Sequence, residues 1–264
     1  RVSLFKSASI VSLLTLASRV LGLVRELLMA SVFGASTFTD AFNVAFRIPN
    51  LFRRLFAEGA FSQAFVPVLA ATREQEGDDA TRHMLNHVAT VLFWVLVLFC
   101  IAGVVGAPLL VWAMASGLRR YADGYRAAVV MTRWIFPYIG FMSLTALAAG
   151  VLNTWKRYAV PAVSPVFLNV TMIAAAWLGA PLFARWGVQP VYALCVGVMA
   201  GGVLQLGAQL LALRRLHMLP RIGVSRQAVR QALQDPHTRR IGSLMLPAIL
   251  GVSVAQISLL INTQ

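Results

Sequence analysis

Seven apolar runs, each about as long as a bilayer is thick, dominate this chain and leave it few ways to fold. A helix crosses the hydrocarbon core in about 20 residues. Runs of that order occupy roughly residues 8–33, 40–70, 84–115, 127–152, 159–182, 190–213 and 241–264. The expected fold class is all-α, a polytopic membrane protein. Composition agrees: 59% of the 264 residues are hydrophobic and only 12% are charged, against about 25% charged in a soluble domain.

The net charge of +14 is split between short loops and the interiors of apolar runs. It forms no contiguous solvated basic face, so a nucleic-acid partner is not expected. Its distribution sets orientation instead. One set of connections holds thirteen basic residues: Arg1 and Lys6, Arg73 and Arg82 in an expected loop at 71–83, Lys156 and Arg157, and seven arginines between 214 and 240. The alternate set holds four, namely Arg119, Arg120, Arg126 and Arg185. The positive-inside rule then puts the N-terminus in the cytoplasm. Trp112, Trp134, Trp155 and Trp186 stand near the ends of the runs, as an interfacial aromatic belt does.

Six arginines remain inside the runs: Arg19, Arg25, Arg47, Arg53, Arg54 and Arg133. A guanidinium at the centre of a span costs about 2.5–3.5 kcal/mol on insertion scales. The stretch RIPNLFRRLFAEGAFSQAFVP, residues 47–67, carries three of them. The first two runs hold five arginines against three acids, Glu26, Asp40 and Glu58. Residues seven apart share a helical face, which stacks Arg19 over Glu26, Ser18 over Arg25, and Asp40, Arg47 and Arg54 in one row. Arg54 and Glu58 form an i, i+4 pair. Pro49 is expected to interrupt the second helix. A cationic surplus beside an interrupted helix reads as the wall of a hydrated cavity for an anion such as a phosphate, for which Arg offers bidentate contacts. Against this, Arg47 and Arg133 lie near span ends and have snorkelling as an alternative, and the three acids have a purely structural role as counter-ions as theirs.

The remaining chemistry is sparse. Cys100 and Cys195 are expected to be reduced and packed. His83, His87, His217 and His237 lie in or beside loops and are expected to be solvated. No phosphate-binding glycine loop, catalytic triad or metal spacing stands out, so no cofactor is called for and an enzyme is not expected. A membrane enzyme acting on polyprenyl phosphates would need an acid/base or metal cluster at a membrane face, and a scaffold would leave the arginines unexplained. Ser225 is expected to cap a short helix with Val229 and Leu233 on one side and Arg226 and Arg230 on the other, either interfacial or solvated. Asp235-Pro236 reads as the cap and first position of the seventh helix. Gly201, Gly202 and Gly207 are expected to allow close helix packing. The last residues, LLINTQ, stay apolar, which suggests part of a longer protein.

SRVLGLVRE (18–26), TDAFNVAFRIPNLFRRLFAEGAFSQAFVPVLA (39–70), LNTWKRYAVPA (152–162) and LPAILGVSVAQISLLINT (246–263) closely resemble the MurJ (MviN) family, the bacterial lipid II flippases of the MOP exporter superfamily. The resemblance covers nearly the whole chain. It implies a fourteen-helix protein with two six-helix lobes around a central cavity. This chain would supply the N-terminal lobe (1–213), a cytoplasmic amphipathic linker (214–240) and transmembrane helix 7 (241–264), the start of the second lobe. It implies flipping of undecaprenyl-pyrophosphate-linked peptidoglycan precursor across the inner membrane by alternating access. The C-terminal lobe and membrane lipids would be partners, and membrane potential or an ion gradient the driving force. Arg19, Arg25, Arg53 and Arg54 match the family's cavity cations, Ser18 and Asn50 its polar cavity positions. Asp40 and Glu58 match its acids. Glu26 stands where many members have Asp, and Arg47 where Lys is common. Another MOP-type exporter, a polysaccharide-lipid flippase or a multidrug exporter, is the alternative within this fold.

Overall fold

The computed structural model describes the backbone of residues 4–115, 117 and 120–262, and the side chains of 8–55, 59–115, 117 and 120–251. Among these residues every regular element is helical. They are α1 (Leu4–Phe33), α2 (Thr37–Phe52), a π-helical stretch (Arg53–Phe61), α3 (Ser62–Val105), α4 (Ala107–Met114), α5 (Ala122–Ile135) and α6 (Tyr138–Thr154). After them come α7 (Ala159–Ala174), a second π-helical turn (Ala175–Gly179), α8 (Ala180–Arg185), α9 (Tyr192–Arg215), α10 (Arg226–Gln234) and α11 (Pro236–Asn262).

Five continuous helical stretches are long and apolar enough to cross a membrane: Ala8–Phe33, Thr37–Val105, Ala122–Thr154, Ala159–Arg185 and Tyr192–Arg215. The second has 69 residues, roughly 100 Å of α-helix at about 1.5 Å per residue, some three bilayers' worth. It folds back at Gly77, whose φ of 85° and ψ of −178° are closed to residues with a Cβ. It thus supplies two spans, and the five stretches account for the first six expected runs. The expected loop at 71–83 is wrong: one glycine turns the chain, and the charged residues around it are helical. Thr81 Oγ1 donates to the Gly77 carbonyl and starts the descending helix.

The expected interruption at Pro49 is also corrected. α2 runs through Pro49, which is buried. The irregularity follows the proline, where the backbone widens into the π-helix at Arg53–Phe61. Such widening lets a helix absorb an extra residue without exposing its backbone, and it recurs at functional positions.

The core is built from α2 against α5, α3 against α6, and α6 and α7 against α9. Phe42, Phe65, Phe136 and Tyr138 are its largest fully buried side chains. α7 and α9 approach closely through Gly197 and Gly201: a Cβ on Gly201 would stand 3.0 Å from Leu168 Cα. A Cβ on Gly202 would stand 2.9 Å from the Tyr138 ring, whereas Gly207 has open space, so its expected packing role fails. α1 packs mainly on α7 and leaves Leu13, Leu16, Val20, Leu23 and Leu27 exposed. Both cysteines are free thiols.

The linker follows its expected local chemistry. Ser225 Oγ accepts from Ala228 N at 3.1 Å and caps α10. Asp235 Oδ2 accepts from Thr238 N at 3.0 Å and caps α11. The histidines do not all match expectation. His87 Nδ1 lies 3.1 Å from Asp235 Oδ1, without good hydrogen-bond alignment. His237 Nε2 lies 3.4 Å from Glu76 Oε1. These contacts fasten α11 to both limbs of α3. Burial raises the Asp235 pKa, but the Thr238 N–H and His87 outweigh it and hold the carboxyl below its usual 3.8.

Candidate functional site

Five of the eight charged residues of the first two runs, Arg25, Glu26, Asp40, Arg47 and Arg53, line two clefts and one groove. Arg25, at 19% side-chain exposure, is set into α1 where that helix meets α7. Its Nη1 donates to Asn169 Oδ1 at 3.0 Å, and its Nη2 lies 3.3 Å from Glu26 Oε1. Asn169 Nδ2 donates in turn to the Ser18 carbonyl at 2.9 Å. The shared face of Ser18 and Arg25 is therefore joined through a residue of another helix. Arg25 Nε is buried with no partner among the described residues. The head group is thus held in place while part of its donor capacity stays unused.

Arg25 and Glu26 line a cleft of about 600 Å³ together with Thr39, Asp40 and Asn43 at the start of α2. Asp40 also borders a neighbouring groove with Arg47, Asn43 and Tyr121. Asp40 and Arg47 thus share a helix face as their spacing indicates. Ser36 caps this helix by accepting from Thr39 N at 3.1 Å.

The second cleft, about 470 Å³, opens beside the π-helix and is lined by Asn50, Arg53, Thr145, Asn153, Gln205 and Gln209 among others. Arg53 sits at the switch from α to π geometry. Its Nε and Nη2 both donate to Asn50 Oδ1, at 3.0 and 2.9 Å. The fork is held against its own helix through the amide oxygen of Asn50. Gln205 Nε2 donates to the Ser164 carbonyl at 2.7 Å, and Gln209 Nε2 to Ser164 Oγ at 2.8 Å. Both glutamine oxygens are buried without a partner among the described residues.

Ser18 is half-buried, and Arg19 and Arg54 are exposed outside these clefts. The face shared by Arg19 and Glu26 does not bring them into an ion pair: Glu26 pairs with Arg25. The expected Arg54–Glu58 pair lies outside the described side chains. Arg133 is exposed in the last turn of α5.

Sequence reasoning passed over Asn169, Ser164, Gln205 and Gln209. The signal was present, since a lone amide in VFLNVTM or in LQLGAQLL is costly in a span unless it has a partner. Charge drew attention away from these neutral groups. No cluster of three or more metal-ligating side chains occurs among the described residues. The arrangement can order anionic groups and hydrogen-bond a polar ligand.

The sequence model of the family described as "Lipid II flippase MurJ" matches residues 29–264. The lipid II flippase MurJ of Burkholderia cenocepacia is 52% identical over 99% of this chain and 49% of its own length. The probable lipid II flippase MurJ of Vibrio cholerae is 38% identical over 98% of this chain and 49% of its own. A solved structure, "Lipid II flippase MurJ, inward closed conformation", superposes with a TM-score of 0.70 at 23% identity, covering 94% of this chain and 48% of that one. The chain spans about half the length of the relatives it matches. With its membrane-length helices it is an all-α, multi-pass membrane protein, and its fold matches about half of that solved structure. It belongs to the MurJ lipid II flippase family.

Proposed function

We propose that this chain forms one wall of a flippase that moves lipid II across the bacterial inner membrane by alternating access. Its N-terminus faces the cytoplasm, as the basic loops favour. In this reading the lobe runs through α9, the linker through α10, and α11 opens the second lobe. The protein carries out transport rather than a chemical reaction.

The observation that carries the reading is Arg53, clamped through Nε and Nη2 to Asn50 in a cleft of mixed polar and apolar lining. Arg25, half-buried and held by Asn169 and Glu26, has an Nε without a partner among the described residues. The pyrophosphate of the substrate is an anion that such forks can receive bidentately. Arg19 and Arg54, exposed on the same two spans, add to the field that draws it in. Glu26 and Asp40 moderate the charge and pair with the cations as the cavity changes shape, with Arg47 and Glu58 in the same role. The polyprenyl tail remains in lipid.

Movement needs an energy source that favours one state over the other, because a cavity binding equally in both moves nothing. The π-helix beside Arg53 is the element suited to rearrange, since its wide turn can pass back to α geometry. The test is translocation of labelled lipid II by the full-length protein in proteoliposomes. Asn50→Leu with Arg53→Ala is expected to reduce transport to background while the protein remains folded. Unchanged transport would contradict the reading.

A further inference from the structure

A second basic groove lies away from the two polar clefts. It is formed where the descending limb of α3, the end of α9 and the following loop meet, and encloses about 500 Å³. Its lining includes Arg82, Arg214, Arg221, His83, His217 and Asn86, with no carboxylate. Arg82 Nη1 lies 3.8 Å from an oxygen of Asp79, whose side chain is 95% exposed. A contact so exposed leaves the Arg82 charge largely available.

The groove is held in shape by hydrogen bonds that no charged group supplies. Asn86 Oδ1 accepts from Arg221 N at 2.7 Å, and Thr90 Oγ1 from Gly223 N at 2.9 Å. Trp94 Nε1 donates to the Gly223 carbonyl at 2.9 Å. His217, at a left-handed φ of 56°, ends α9, and Met218 N returns to the Leu213 carbonyl. The backbone of the loop is thus fixed against α3 while its arginines stay exposed.

The same loop presents Leu219, Ile222 and Val224 to the outside, the last at 77% exposure. Exposed apolar side chains on both sides of Arg221, at the end of a membrane helix, fit the boundary between headgroups and acyl chains. A soluble anion would need only the arginines.

We propose that this groove is a specific site for the phosphate headgroup of an anionic membrane lipid. Arg82, Arg214 and Arg221 contact the phosphate oxygens, and Leu219, Ile222 and Val224 enter the acyl region beside it. The site is independent of the substrate clefts and does not rest on lipid II transport.

The test uses full-length protein in phosphatidylcholine nanodiscs doped with phosphatidylglycerol, with bound lipid counted by native mass spectrometry after release. Wild type is expected to retain phosphatidylglycerol saturably. R82Q/R214Q/R221Q is expected to lose on the order of a hundredfold in affinity, whereas R126Q/R185Q retains it. If the triple variant melts early, R221Q alone carries the test with a smaller loss. Wild-type retention in the triple variant at unchanged melting temperature would overturn the site. Displacement of the lipid by low millimolar inorganic phosphate would overturn the lipid assignment in favour of a free-anion site.

Discussion

Arg25 of α1 and Asn169 of α7 are joined by a 3.0 Å hydrogen bond across 144 residues of sequence. The same asparagine donates to the backbone of α1 at Ser18, so one amide both docks the first helix and aims its guanidinium. A hydrogen bond to a charged group contributes about 1.5–3 kcal/mol when its loss leaves the charge buried. Asn169→Leu is therefore expected to destabilise the full-length protein by about 2 kcal/mol and to impair transport. Asn169→Asp keeps the acceptor and sets a carboxylate beside Arg25, but loses the donor to Ser18; it is expected to destabilise less than Asn169→Leu and still transport poorly. Melting temperature and lipid II translocation, measured together, separate these two effects.

Asn50 offers a parallel case at the π-helix. Asn50→Asp retains an oxygen within reach of Arg53 Nε and Nη2 but converts a neutral clamp into an ion pair. The fork then holds a carboxylate and competes for an incoming phosphate. Substrate affinity is expected to fall about tenfold or more, equivalent to about 1.4 kcal/mol, with the melting temperature preserved. Binding of lipid II to the purified variant is the measurement, and wild-type affinity would show that Arg53 does not receive the anion.

Gly103 in α3 lies against the buried ring of Phe136: a Cβ there would stand 1.9 Å from the ring edge. Gly103→Ala is expected to destabilise by about 1–3 kcal/mol through overpacking. Gly207→Ala, with nothing within 4 Å, is expected to be neutral or slightly stabilising, because alanine favours helix. A pair of thermal melts decides both.

The Asp235 carboxyl is held below its usual 3.8. A carboxyl whose folded pKa is depressed adds stability above the unfolded value, and that stability fades as pH falls through the folded value. The attachment of α10 and α11 to α3 is thus expected to be complete at neutral pH and to loosen below about pH 4. Hydrogen exchange across residues 226–240 is expected to quicken in that range, and Asp235→Asn to show quick exchange already at neutral pH.

Much of this architecture was legible in the chain. Long apolar runs marked the spans, and Ser225 and Asp235 marked helix starts, because capping depends only on neighbours in sequence. Gly77 was missed because the charged residues around it look like a loop, while one left-handed glycine suffices to reverse a helix. Pro49 drew attention to the right place but the wrong distortion, since the backbone widens after the proline instead of breaking at it. The partners of Arg25 were not legible: spacing puts Ser18 on its face, but only the packing of α7 against α1 brings in Asn169. Gln205 and Gln209 meet Ser164 for the same reason, as α7 and α9 come together through Gly197 and Gly201.

The most direct test is complementation of a bacterial strain depleted of its own lipid II flippase by the full-length protein carrying Arg19→Ala, Arg25→Ala, Arg53→Ala or Arg54→Ala. Arg185→Ala, on a span end remote from both clefts, is the control. Cell-wall synthesis is expected to be restored by wild type and by Arg185→Ala. Each of the other four is expected to fail at normal membrane abundance. Full rescue by these four at that abundance would contradict a cationic cavity as the receiver of pyrophosphate.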